Sequence, residues 1–249
     1  TRVDDGPPRA RDNAGMNRWL SLLPVIVPVL FWAWYHYHKD RHLPEPRLHL
    51  LAAFLLGVGA FWLGALLYEG LDLIGLRRDA FLLAETDRLA LLRYAVFAIG
   101  PIEEFAKLVP FVLVCLRFRE FDEPIDGIIY ASFVALGFAA VENVRYLPFL
   151  DTGEAIARGF AAPVVHIVFA SIWGHYVGLA WIRRKRVVVT AVAALSATAL
   201  LHGLYDYLVI AMPYAALPVS ALLVLVLWVW RAWLLHGLHR AATAGEPRP

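Results

Sequence analysis

Apolar residues run along this chain in long blocks separated by short charged segments, and the blocks occupy 19–37, 48–68, 89–116, 128–147, 160–182, 187–211 and 214–235. A helix crosses the roughly 30 Å hydrocarbon layer of a bilayer in about 20 residues. The pattern therefore predicts an all-α protein, a polytopic transmembrane helical bundle of about seven spans. Residues 1–18 read as a polar N-terminal segment, 19–235 as a single transmembrane helical domain, and 236–249 as a polar C-terminal tail. Between the spans, 38–47 is a charged loop with Pro44-Glu45-Pro46, 117–124 a tight charged turn and 148–158 a polar loop. In 69–88, Leu71, Ile74, Leu82 and Leu83 alternate with Arg77, Arg78 and Asp79, as expected for a short amphipathic piece lying along the interface. No internal repeat is visible, which counts against an inverted-repeat transporter.

Composition agrees: 60% of the 249 residues are hydrophobic and 18% charged, with mean hydropathy +0.60, well above a soluble domain of this length. A net charge of +2 gives no ground for nucleic-acid binding, and the lone Cys115 excludes an intrachain disulfide. The first apolar run holds Pro24 and Pro28 and ends in Trp32-Ala33-Trp34-Tyr35-His36-Tyr37 without a small-residue cleavage site, so it is expected to remain as an anchor with an aromatic belt. Arg183-Arg184-Lys185-Arg186 is the sharpest basic cluster and is expected on the cytoplasmic side. With an odd number of spans, the N-terminus is then extracytoplasmic and the C-terminus cytoplasmic.

Four consecutive spans carry polar groups at depth: Glu103, Glu104 and Lys107; then Glu142 and Asn143; then His166 and His175; then His202 and Asp206. An ionised side chain at the bilayer centre costs about 2.5 kcal/mol or more on insertion scales, so such groups face a protein interior or a water-filled cavity. Residues four apart share a helix face. Glu103 is thus expected to align with Lys107, Phe138 with Glu142, and His202 with Asp206, whose carboxylate would orient the imidazole. His175 falls on the face opposite His166 and is read as structural. Glu142 lies near the end of its span, His166 near the start of the next, and His202 and Asp206 in the last third of theirs. Alternating span direction brings these to one membrane face, opposite Arg183–Arg186, with Glu103 somewhat deeper. A plainer reading makes Glu103, Glu104 and Lys107 an ion-pair knot and gives Glu142 to Arg145.

The chain has no Gly-rich phosphate loop, no Gly-x-Ser-x-Gly elbow and no His-Glu-x-x-His zinc motif. Carboxylates and histidines remain, the inventory for activating water. A desolvated glutamate can serve as general base, and His166 or His202 can stabilise an oxyanion. The same set, Glu142, His166, His202 and Asp206, could instead hold zinc with an open water position. Metal-free and metal-bound water both stay open. So does a second class of function, a proton- or ion-coupled transporter using the same carboxylates as a relay.

The motifs in order resemble those of the PrsW family of intramembrane proteases, related to the CAAX prenyl endopeptidase and bacteriocin-processing group. Glu103-Glu104-Phe105-Ala106-Lys107 is similar to the family's Glu-Glu-x-x-Lys. Phe138-Ala139-Ala140-Val141-Glu142-Asn143 is similar to its Phe-x-x-x-Glu followed by Asn. Ala162-Pro163-Val164-Val165-His166 and His202-Gly203-Leu204-Tyr205-Asp206 resemble the last two, and the Pro-Glu-Pro loop is similar as well. The resemblance covers roughly 40–206. It implies a bacterial enzyme that hydrolyses membrane-embedded or membrane-proximal protein substrates, anti-sigma factors being the known kind, on the extracytoplasmic side. Carried over by motif, Glu103 would be the base, with Glu104 and Lys107 holding its position and charge and with Phe138 and Asn143 as supporting residues. Glu142, His166, His202 and Asp206 would line the water and oxyanion site or bind metal.

Overall fold

A computed structural model of the chain describes residues 20–39, 45–212 and 217–243, and every regular element among them is helical. In chain order they are α1 (Leu23–Lys39), α2 (Arg47–Leu73), α3 (Ala80–Thr86), α4 (Arg88–Tyr94), α5 (Gly100–Leu113), α6 (Pro124–Tyr146), α7 (Thr152–Ile182), α8 (Val187–Ala211) and α9 (Leu217–Thr243). Among the described residues, six helices are long and apolar enough to cross a membrane: α1 with its lead-in turn, α2, α6, α7, α8 and α9. The expected polar segment 1–18 lies outside the described residues.

The span expected over 89–116 is not one uniform α-helix. α4, a π-helical turn (Ala95–Ile99) and α5 follow one another without a break, and a 3-10 turn (Cys115–Arg117) closes the run. Within the π turn the Gly100 N–H bonds to the Ala95 carbonyl five residues back. Pro101 supplies the physical reason. It lacks an N–H, and in a regular helix its ring would meet the carbonyl four residues earlier, so the turn widens.

Three other boundaries differ from expectation. Residues 148–158 are not all loop, because Asp151 and Glu154 form a reciprocal capping box that starts α7 at Thr152. α9 runs through Thr243, well past the expected domain end at 235. The 69–88 piece is divided: its first residues complete α2, and Ala80–Thr86 form α3, begun by Asp79, which accepts from the N–H groups of Phe81 and Leu82; Asp87 likewise accepts from Leu89 and Ala90 to begin α4.

α6 is the central helix: 83% of its apolar window is buried, against 17% for α1 and for α9 at the periphery. Glycines let its neighbours approach at backbone distance, the small-residue packing that membrane helices use in place of a hydrophobic drive. A Cβ on Gly57 of α2 would overlap the Val134 carbonyl, one on Gly137 of α6 the Phe54 carbonyl, and one on Gly174 of α7 the Gly127 carbonyl. Leu136, Ile128, Phe111 and Trp173 are fully buried members of one core cluster. Arg231, on the last expected span, lies at mid-helix in α9 and is buried. Its guanidinium donates to Ser171 Oγ at 2.8 Å and Ser132 Oγ at 3.0 Å, tying α9 to α7 and α6.

At the end of the bundle that carries the Arg183–Arg186 turn, Glu45 is buried and accepts from the Tyr130 hydroxyl. Asp126 accepts from the N–H groups of Asp122 and Glu123 and so anchors the start of α6.

Candidate active site

α5, α6, α7 and α8 bring the expected polar residues into one cluster. Glu104 and Lys107, one turn apart on α5, are fully buried, and the ammonium lies 2.6 Å from Glu104 Oε1. Lys107 therefore pairs with Glu104, three residues back, and not with Glu103 as the four-residue spacing suggested. The reason is that Glu104 points into the bundle. There its Oε2 accepts from the Trp173 indole N–H at 2.8 Å, while Oε1 lies 2.7 Å from His202 Nδ1. A carboxylate can only accept, so His202 donates through Nδ1 and leaves Nε2 turned toward the rest of the cluster.

That free nitrogen faces two carboxylates. Glu103 Oε2 lies 3.7 Å away and Asp206 Oδ2 3.6 Å away, both beyond hydrogen-bond range. Glu103 Oε2 is buried and has no hydrogen-bond partner. Asp206 shares a face with His202 as the spacing predicts, yet it is Glu104 that bonds the imidazole. Phe169 stacks on the His202 ring, with centroids 5.0 Å apart.

His166 is held from two sides. Lys107 Nζ lies 3.0 Å from Nδ1, and Glu142 Oε2 lies 2.9 Å from Nε2. The ammonium can only donate and the carboxylate only accept, so this ring accepts at Nδ1 and donates at Nε2. Phe138, one turn before Glu142, puts its ring 5.4 Å from the His166 centroid and 4.6 Å from Lys107 Nζ. Glu142 takes its second partner from Arg158, at 3.2 Å, and not from Arg145. The Arg158 guanidinium also sits 3.7 Å over the Tyr146 ring. Asn143 is buried with neither amide atom hydrogen-bonded. His175 is buried elsewhere on α7 and takes no part in these contacts.

Two contributors escaped the sequence reading. Trp173 is seven residues beyond His166, two turns along one helix face, a spacing visible in the chain. Polarity alone places Arg158 in a loop, although Asp151-Thr152-Gly153-Glu154 is a legible capping box that puts it on α7. The crossing of α8 over the π turn sets the depth of the cluster. A Cβ on Gly203 would overlap the Ala95 carbonyl, and one on Gly100 the Ala199 carbonyl, so His202 and Glu103 ride on two backbones in direct contact.

The donor set suits a divalent cation. One donor atom each from Glu103, His166 and His202 lies within 4.8 Å of the others. His202 Nε2 and Glu103 Oε2 are both uncommitted, and imidazole with carboxylate is a usual zinc environment. The Nδ1–H of His202 on Glu104 is the carboxylate support that metal-bound histidines commonly carry.

Membrane-spanning helices that converge on buried acids, two histidines and a lysine define an enzyme-like centre inside a bilayer protein. Over residues 45–234 the chain matches the family described as PrsW family intramembrane metalloprotease, and it belongs to that family: an integral membrane protease of the bacterial kind. Curated relatives named protease PrsW cover most of it. The protein from Clostridioides difficile is 29% identical over 83% of this chain and 86% of its own length. That from Oceanobacillus iheyensis is 31% identical over 84% and 92%, and that from Geobacillus kaustophilus 33% over 75% and 78%. No solved structure matches the chain.

Proposed function

We propose that the protein is an endopeptidase that hydrolyses peptide bonds of membrane-embedded or membrane-proximal substrates with water activated by Glu103. The observation that carries this reading is the buried, unpartnered Oε2 of Glu103 facing His202 Nε2 at 3.7 Å. Such an oxygen is ready to accept a proton from water, whereas Glu104 has both oxygens engaged. Glu103 takes the proton of the attacking water and passes it to the leaving amine nitrogen. Glu104, itself held by Lys107 and Trp173, fixes the His202 ring so that Nε2 faces the reacting atoms. His166 is fixed by Lys107 and Glu142.

His166 and His202 would supply two imidazoles to a divalent cation, and the carboxylate would be Glu103, within 4.8 Å of both, or Asp206, 3.6 Å from His202 Nε2; with Asp206 as ligand, Glu103 stays the base. To ligate, His166 gives up one of its two present contacts. When bound, such an ion polarises the scissile carbonyl and acidifies water.

The exposed Arg183–Arg186 turn at the opposite end supports a cytoplasmic position for that end, with an extracytoplasmic N-terminus, a cytoplasmic C-terminus and a site open to the extracytoplasmic side. The substrates in this reading are anti-sigma-factor-like regulators. Comparative mapping of protein N-termini in membranes holding wild type or Glu103→Gln tests the proposal and finds the substrate together. New termini present only with wild type are expected, and full activity in both Glu103→Gln and Glu104→Gln would refute it. For the metal, the purified full chain is expected to carry about one zinc, lost in His202→Ala, with cleavage abolished by chelator and restored by zinc. Metal-free wild type with undiminished cleavage would remove the ion from the reading.

A further inference from the structure

The turn between α7 and α8 has features that the proteolytic site does not use. Four consecutive cations, Arg183, Arg184, Lys185 and Arg186, are all exposed. Among the described residues, none of the four pairs with a carboxylate. Beside them is a cavity of about 470 Å³ lined by Trp181, Arg184, Arg186 and Val187. It is a half-open surface concavity and not an enclosed pocket.

The lining is amphipathic in an ordered way. The two guanidiniums offer planar, multidentate donors suited to a phosphate. Trp181 and Val187 supply the apolar part of the lining, and the next residues of α8, Val188 and Val189, are 76% and 63% exposed. A tryptophan and unpaired arginines at the end of a membrane span belong at the depth of lipid headgroups. A free anion would use the guanidiniums alone and leave the apolar wall idle. A phospholipid uses both.

We infer that this cavity binds the headgroup of an anionic phospholipid, with the phosphate on Arg184 and Arg186 and the acyl chains along Trp181, Val187 and Val188. α7 carries His166 and α8 carries His202. The lipid therefore clips together, at their far ends, the two helices that supply the site histidines.

Native mass spectrometry of the full-length chain in dodecyl maltoside, titrated with dioleoyl phosphatidylglycerol or dioleoyl phosphatidylcholine, tests this without reference to cleavage. Its failure is thus separate from any failure of the proteolytic reading. Wild type is expected to retain phosphatidylglycerol and not phosphatidylcholine. The Arg184→Asn/Arg186→Asn variant should bind phosphatidylglycerol about tenfold more weakly or worse. Asparagine is chosen because both positions have positive φ, 52° and 45°, which it tolerates. Equal retention of the two lipids, or equal phosphatidylglycerol binding by wild type and variant, overturns the proposal. If the double variant does not fold, Arg184→Asn alone is compared with wild type in the same way. Displacement of phosphatidylglycerol by equimolar inorganic phosphate would make the ligand a free anion and overturn the lipid assignment.

Discussion

His202 Nδ1 lies 2.7 Å from Glu104 Oε1 while its Nε2 faces Glu103 Oε2 at 3.7 Å, so one imidazole separates two neighbouring glutamates into different tasks. Glu104→Gln strips a fully buried carboxylate from Lys107, Trp173 and His202 together. Breaking a buried pair in this way costs about 3–5 kcal/mol. Glu103→Gln removes only the unpartnered oxygen and is expected to leave the thermal unfolding midpoint near wild type while cleavage falls by about 10²–10⁴. Midpoints measured in detergent alongside cleavage separate the two. A Glu104→Gln protein as stable as Glu103→Gln would contradict the division.

The contact of α8 with the π turn has no room for a side chain. Gly203→Ala would drive a methyl into the Ala95 carbonyl and Val96 Cα. The helices must part, at a cost of about 1–3 kcal/mol, and His202 moves away from Glu103. Gly59→Ala on α2 is the matched control, with nothing within 4 Å of the new methyl. It should stabilise the helix by roughly 0.5–1 kcal/mol. Unfolding midpoints of opposite sign are the expected readout, with lost cleavage in Gly203→Ala alone.

Arg158 reaches Glu142 from a partly open position, with side-chain exposures of 30% and 15% for the pair. Its contribution to stability is accordingly small, about 0–1 kcal/mol. Its effect on activity should be larger, because Glu142 then holds His166 with one contact fewer. Arg158→Gln is expected to lower cleavage about 10–100-fold, as losses of supporting contacts around a site commonly do. Arg158→Lys, charged but unable to stack flat on Tyr146, should fall between. An unchanged rate in Arg158→Gln would show the pair to be idle.

Glu45 lies outside the spanning helices, and its burial pushes its carboxyl above the ordinary 4.5, aided by the charges of Glu120 and Asp122 and opposed by hydrogen bonds from Tyr130 and Asp126. The folded state thus holds this proton more tightly than the unfolded chain. The stability it supplies is complete below about pH 4.5 and is lost as pH rises through the folded value. Glu45→Gln still accepts from Tyr130 and does not titrate. The stability of wild type relative to this variant, measured by denaturation in detergent, should decline as pH rises from 4 toward neutrality. A pH-independent difference would refute the assignment.

The hydrophobic blocks made most of the bundle legible, because a bilayer demands length and apolarity of every span. α6 and α8 begin and end close to where those blocks do. The polar residues were legible for the same reason: Glu103, Glu142, His166 and His202 are conspicuous in apolar surroundings, and the alternation of span direction was enough to gather them. Rotation about a helix axis was not legible across Ala95–Ile99, where the turn is wider than 3.6 residues. Spacing puts His202 and Asp206 on one face, and they lie 3.6 Å apart, but it does not show that tertiary contacts across α5, α7 and α8 give the hydrogen bonds of both Lys107 and His202 to Glu104. Arg158 was missed because polarity alone marked 148–158 as loop.

The π turn fixes the rotational register of the acid pair that follows it. A turn that closes five residues back holds one residue more than its regular counterpart, and that surplus advances everything after it by about 100°. Deleting one residue from Ala95–Ile99 would turn α5 back by that angle and exchange the outlooks of Glu103 and Glu104, so the wide turn sets which of the two adjacent acids meets the bundle interior.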